Sequence, residues 1–170
     1  ATKRTYIVEA DWSAASYFYS IVALAEIGFE LNLAQLQQNS KQGDAHTVQY
    51  YHHFGVETTQ TATGILIRKV RKADAAIDFN LENQPDIAQT IAVTAAALGC
   101  CCKLTGLKTL AIKETNRLAA LQTELQKCGV AVALTSDSLT FPASQFVRPT
   151  APIETYQDHR MAMAFAPIAT

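Results

Sequence analysis

An ammonium, a carboxyl group and a guanidinium fall within five residues at Lys113-Glu114-Thr115-Asn116-Arg117. That set offers a proton-transfer group flanked by two cations, which suits proton exchange at a bound anion. Leu118, Leu121, Leu125 and Cys128 follow at spacings of three and four, and Gly129 supplies a stop, so the run predicts a helix. The same spacing puts Lys113, Glu114 and Arg117 in the first turn of that helix. Unpaired backbone N–H groups and the positive end of the helix dipole would meet an anion there. The plainer reading is a charged first turn with solvated side chains. Two further groups stand at expected helix starts, Asp86 behind Pro85 and the triplet Asp158-His159-Arg160. Read plainly, Asp86 and Asp158 are N-caps and His159 is a polar residue at a helix start.

The elements that must position these groups recur in order. Residues 5–8 are strand-like, Asp11 and Ser13 offer caps, and residues 14–27 are small and apolar up to Gly28, as in a helix buried on most sides. Residues 29–33 alternate as a strand. Gln42-Gly43-Asp44 is a turn and cap, residues 46–54 suit a second helix stopped by Gly55, and residues 56–68 read as two strands around Ala62-Thr63-Gly64. The pattern then restarts: a strand at 76–79, a helix opened by Gln84-Pro85-Asp86, and an apolar stretch to Gly99. A strand or extended approach at 107–112 leads to the Arg117 helix, and two strands lie within 130–141. A third start follows, with a strand at 153–156 and a helix from Asp158. Gly55 and Gly129 lie 74 residues apart, which sets the period. The expected fold is therefore α/β, built of β-α-β-α-β-β units at about 3–74 and 75–150, with a truncated third copy at 151–170. One domain over residues 1–170 is expected, shorter than its native counterpart. If the units are related by rotation, their first helices run parallel and gather Asp86, Lys113 to Arg117 and Asp158-His159-Arg160 at one face.

Composition excludes several classes. The chain has 170 residues, 49% of them apolar and 17% charged, with a net charge of −1. It is expected to be globular, without the basic excess of a nucleic-acid binder and without an apolar run long enough to span a membrane. No signal peptide is read, since Lys3-Arg4 leads into a short strand-like run with Glu9 and Asp11; the initial Ala points to a trimmed or internal piece. Three of the four cysteines are consecutive at 100–102, which suits neither a disulfide nor zinc and fits reduced thiols in a cytoplasmic protein. His46, His52 and His53 do not make a metal set, because adjacent residues point different ways on a helix.

Five stretches together resemble the EPSP synthase family, the 3-phosphoshikimate 1-carboxyvinyltransferases. They are Val8-Glu9-Ala10-Asp11-Trp12-Ser13-Ala14-Ala15-Ser16-Tyr17, Gln42-Gly43-Asp44, Pro85-Asp86, residues 113–118, and Tyr156-Gln157-Asp158-His159-Arg160-Met161-Ala162-Met163. They stand in family order across nearly the whole chain. The resemblance implies one of two domains with buried parallel helices and outer sheets, and an active site in the cleft between the domains. The reaction it implies moves the enolpyruvyl group of phosphoenolpyruvate to the 5-hydroxyl of shikimate 3-phosphate, releasing phosphate through a tetrahedral adduct. By that resemblance Asp86 holds and deprotonates the hydroxyl, Glu114 exchanges a proton with the methylene carbon, and Lys113 lies near the reacting oxygens. Arg117 and Arg160 clamp the phosphoenolpyruvate carboxylate, with His159 beside it. No metal or organic cofactor is implied.

The implied partners are the two substrates and a second domain of the same chain, in a cytoplasmic enzyme that is monomeric when intact. The isolated piece is expected to be inactive. Asn116 replaces the usual Asp, and Ala111 a frequent Arg. Alternative readings are a catalytically silent anion- or partner-binding domain, and a relative acting on UDP-N-acetylglucosamine, against which the Lys-Glu-Thr-x-Arg run speaks.

Overall fold

Helix α3 (Ala88–Ala97) sits at the centre of the structure, and residues 88–96 are all buried. Its sequence, AQTIAVTAAA, is nearly all small side chains, so neighbouring helices can approach closely. The computed structural model describes residues 8–169. Helix α1 (Trp12–Leu24) packs along α3 through Ser16–Thr90 at 3.4 Å and Ser20–Thr94 at 2.8 Å. Each of these pairs is 74 residues apart, and their matching order along both helices means that the helices run parallel. Helix α5 (His159–Phe165) joins them, and α2 (Thr47–His53) adds the Tyr51 hydroxyl, 3.0 Å from Thr94 Oγ1.

Two sheets cover this layer. The first has order β1-β3-β2 (Glu30–Ala34, Gly64–Lys69, Val56–Gln60) and is antiparallel throughout. The second has order β4-β5-β7-β6 (Ala76–Asn80, Cys101–Thr105, Ser138–Phe141, Ala133–Leu134). In it β4 and β5 are parallel, joined by the α3 crossover, and the other pairs are antiparallel. The order β-α-β-α-β-β runs from β4 through α3, β5, α4 (Arg117–Lys127) and β6 to β7. The strands bury alternate residues, which explains the cysteine run: Cys100 and Cys102 point inward and Cys101 outward, all unbridged. Burial pushes the Cys102 thiol far up, so it is an inert core group.

Several elements differ from expectation. Residues 5–7 of the first expected strand lie outside the described residues. The first helix ends at Leu24, not 27, and leaves Phe18 and Ile21 at 43% and 40% exposure. Residues 108–112 form a 3-10 turn, not a strand, because Asp137 accepts from Lys108 N at 2.8 Å and from Leu107 N at 3.0 Å. The following helix begins only at Arg117, capped by the Asn116 side chain, which accepts from Ala119 N at 3.2 Å. Lys113 and Glu114 therefore precede the helix. Residues 153–156 form no strand; Glu124 engages that segment instead.

Candidate active site

Arg117 opens α4 and is buried to 1% exposure, so its charge needs partners. It has three. Nε donates to Asp158 Oδ2 at 2.7 Å, Nη1 to Asp86 Oδ1 at 3.1 Å, and Nη2 to Glu114 Oε2 at 2.6 Å and to Asp158 Oδ1 at 3.4 Å. The planar guanidinium is thus shared among carboxylates from three parts of the chain.

Asp158 is the inner partner. It caps α5 by accepting from Arg160 N at 2.8 Å while it holds Arg117. Burial alone would raise its pKa. The hydrogen bonds from Arg117 and from the Arg160 and Met161 amides, with the Arg117 charge, outweigh burial and hold the carboxyl below its usual range. Asp86 is more open and does not cap a helix. It receives Lys113 Nζ at 3.3 Å, Arg117 Nη1 at 3.1 Å and Arg160 Nη2 at 3.4 Å. Glu114 is the outermost partner, with its side chain 52% exposed. The His159 side chain is exposed and makes no hydrogen bond or ion pair among the described residues.

The first helix also reaches this end. Asp44 accepts from the Ser13 hydroxyl, and burial pushes its carboxyl up; the Asp86 charge adds to the rise and Arg160 opposes it. Burial likewise raises the Tyr17 phenol, against the nearby charge of Arg160. The starts of α1, α4, α5 and the turn into α3 therefore converge, which is why five of the six expected residues meet here.

The arrangement is not a bare cluster of cations. Lys113, Arg117 and Arg160 face Asp86, Glu114 and Asp158, and a buried guanidinium would be unstable without such matching. An incoming carboxylate must therefore take over places now held by protein carboxylates. The half-exposed Glu114 is the easiest of these to displace. In the sequence Asp158 stands in the converging triplet with no role beyond a cap, and Asp44 reads as a turn and cap with no part in the site. The signal for both was their place in family-like stretches.

The family model for EPSP synthase (3-phosphoshikimate 1-carboxyvinyltransferase) matches residues 1–170, and the chain belongs to that family. A 3-phosphoshikimate 1-carboxyvinyltransferase from Bacteroides fragilis is 43% identical over 166 residues, covering 96% of this chain and 40% of the relative. One from Ralstonia pickettii is 35% identical, covering 94% and 37%. The chain thus spans about 40% of the length of the curated relatives it matches. EPSP synthase from Acinetobacter baumannii superposes with a TM-score of 0.67 at 21% identity, over 94% of this chain and 39% of that one, a likeness of fold.

Proposed function

We propose that the protein carrying this chain transfers the enolpyruvyl group of phosphoenolpyruvate to the 5-hydroxyl of shikimate 3-phosphate and releases phosphate. The observation that carries the reading is the Arg117 cage, a buried guanidinium fork whose outer partner, Glu114, is half exposed. The substrate carboxylate displaces Glu114 from Nη2 and takes the fork together with Arg160, while Asp158 keeps Arg117 in place. Displaced Glu114 then lies beside the bound ligand and exchanges a proton with the methylene carbon. Asp86 binds the target hydroxyl and accepts its proton, and Lys113, already on Asp86, stands near the reacting oxygens. Proton transfer from Glu114 turns the methylene into a methyl group and leaves the neighbouring carbon electrophilic, and attack of the hydroxyl oxygen on that neighbour gives a tetrahedral adduct. Loss of a methyl proton to Glu114 and departure of phosphate restore the vinyl ether. His159 flanks the phosphoenolpyruvate.

The reaction so written draws on no metal or organic cofactor. The remaining contacts, including most of those to shikimate 3-phosphate, belong to sequence beyond this stretch in a cytoplasmic enzyme, monomeric when intact. The stretch alone does not turn over, because one wall of a cleft neither excludes water nor orients two substrates.

The test is phosphate release from phosphoenolpyruvate by the full-length protein, with shikimate 3-phosphate or UDP-N-acetylglucosamine as acceptor. Release with the first acceptor only is expected. Release with the second only would replace the substrate, and release with neither would leave a silent anion-binding domain.

A further inference from the structure

The polypeptide reaches Asp158 through two consecutive residues, Tyr156 and Gln157, that both sit at φ +56°. Neither is glycine. A left-handed backbone is disfavoured for residues with a Cβ, so such a pair persists only where its surroundings hold it. Glu124 on α4 is what holds it. The Glu124 side chain is 0% exposed and accepts from the Tyr156 hydroxyl at 2.7 Å and from Glu154 N at 3.0 Å. Lys127 Nζ pairs with the same carboxylate at 2.7 Å and donates to Pro152 O at 3.0 Å. These contacts fasten residues 152–156 to the far half of α4. Burial alone would raise the Glu124 pKa, but its hydrogen bonds from Lys127, Tyr156 and the Glu154 amide hold it below the usual range, so the group is a fixed anion.

The same helix begins at Arg117. Seven residues separate Arg117 from Glu124, about two helical turns, so both side chains leave α4 on one face. One end of the helix therefore touches Asp158, and the other holds the turn that delivers Asp158 and Arg160. No step of the proposed chemistry uses Glu124 directly.

We infer that Glu124 is a positioning residue which, through the Tyr156 hydroxyl, fixes the 156–160 turn against Arg117 and so sets the spacing of the two guanidinium groups. The inference rests on the proposed clamping role of Arg117 and Arg160. It predicts a loss specific to the substrate those groups hold.

In the full-length enzyme, Tyr156→Phe should raise KM for phosphoenolpyruvate about fivefold and Glu124→Ala about tenfold or more. KM for shikimate 3-phosphate and kcat should stay within about twofold. Glu124→Gln, whose amide oxygen still accepts, should recover most of the loss. Unchanged KM for phosphoenolpyruvate in Tyr156→Phe would overturn the inference, as would a loss of equal size in all constants that Gln does not rescue. Should Glu124→Ala fail to fold, Tyr156→Phe decides. A wild-type enzyme without turnover would defeat the proposed function instead. Amide exchange at Arg160 and Ala162 then decides: faster exchange in Tyr156→Phe, with α3 unchanged, supports the latch, and unchanged exchange overturns it.

Discussion

Two buried cations, at opposite ends of the helical layer, are neutralised in different ways. Arg117 stands where helices begin and is held by three carboxylates. Lys69 stands where helices end. Its Nζ donates to Ala23 O at 2.7 Å, in the last turn of α1, and to Phe54 O at 2.6 Å, on the residue that caps α2. No carboxylate pairs with it among the described residues. The negative ends of two helix dipoles serve in its place, while burial pulls its pKa down. The difference is one of exchangeability. A carboxylate on a half-exposed side chain can yield to a ligand carboxylate of the same charge and shape, whereas backbone carbonyls cannot leave their helices. Lys69 is thus scaffold, whereas Arg117 is scaffold on its Asp158 side and, in the proposed function, a ligand site on its Glu114 side.

Arg117→Met removes the cation from three carboxylates and should cost about 3–5 kcal/mol of unfolding free energy. Turnover in the full-length protein should vanish with it. A urea midpoint like wild type would mean that the cage is not held by charge. Lys69→Met orphans two helix-end carbonyls and should cost about 2 kcal/mol, with kinetic constants unchanged. A variant that keeps its stability and loses activity would erase the distinction between the two cations.

Asp158→Asn keeps a cap and a hydrogen-bond acceptor but loses charge, a loss of about 1–2 kcal/mol. Its pH dependence sharpens the point. The Asp158 carboxyl is held below its usual range in the folded state, so its contribution is present above the unfolded value of about 4 and is lost as pH falls through the folded pKa. Acid unfolding of Asp158→Asn should therefore be less steep by about one proton; an identical acid limb would remove Asp158 from the account. Glu114→Gln should shift stability least, by under about 0.5 kcal/mol, because the group is half exposed, yet it should slow proton exchange at the methylene carbon. Normal washout of deuterium at that carbon would end the proton role.

Much of this was legible in advance. The apolar and small residues from 87 to 98 announced a buried helix, whereas the contacts of Ser16 with Thr90 and of Ser20 with Thr94, each 74 residues apart, came only with the packing of α1 on α3. Asp11 and Asp158 cap helices as their residue type suggests. Residues 107–112 misled because their apolar character is shared by strands and 3-10 turns, and the deciding partner, Asp137, is remote in sequence. That Asp86, Lys113, Glu114, Arg117 and Arg160 would meet at one face was legible, but not their pairing. Which carboxylate meets which guanidinium depends on how α3, α4 and α5 are packed, and spacing along one chain does not carry that. Lys69 was invisible for the same reason: at the end of an alternating strand it reads as a solvated residue, and only the helix ends above it make it a cap.

The most direct measurement is a structure of the full-length protein with phosphoenolpyruvate and shikimate 3-phosphate bound. Arg117 is expected to keep its Asp158 contact near 2.7 Å, while the 2.6 Å contact from Nη2 to Glu114 is broken and replaced by the ligand carboxylate. Phosphoenolpyruvate bound away from Arg117, with Glu114 still in place on Nη2, would contradict it.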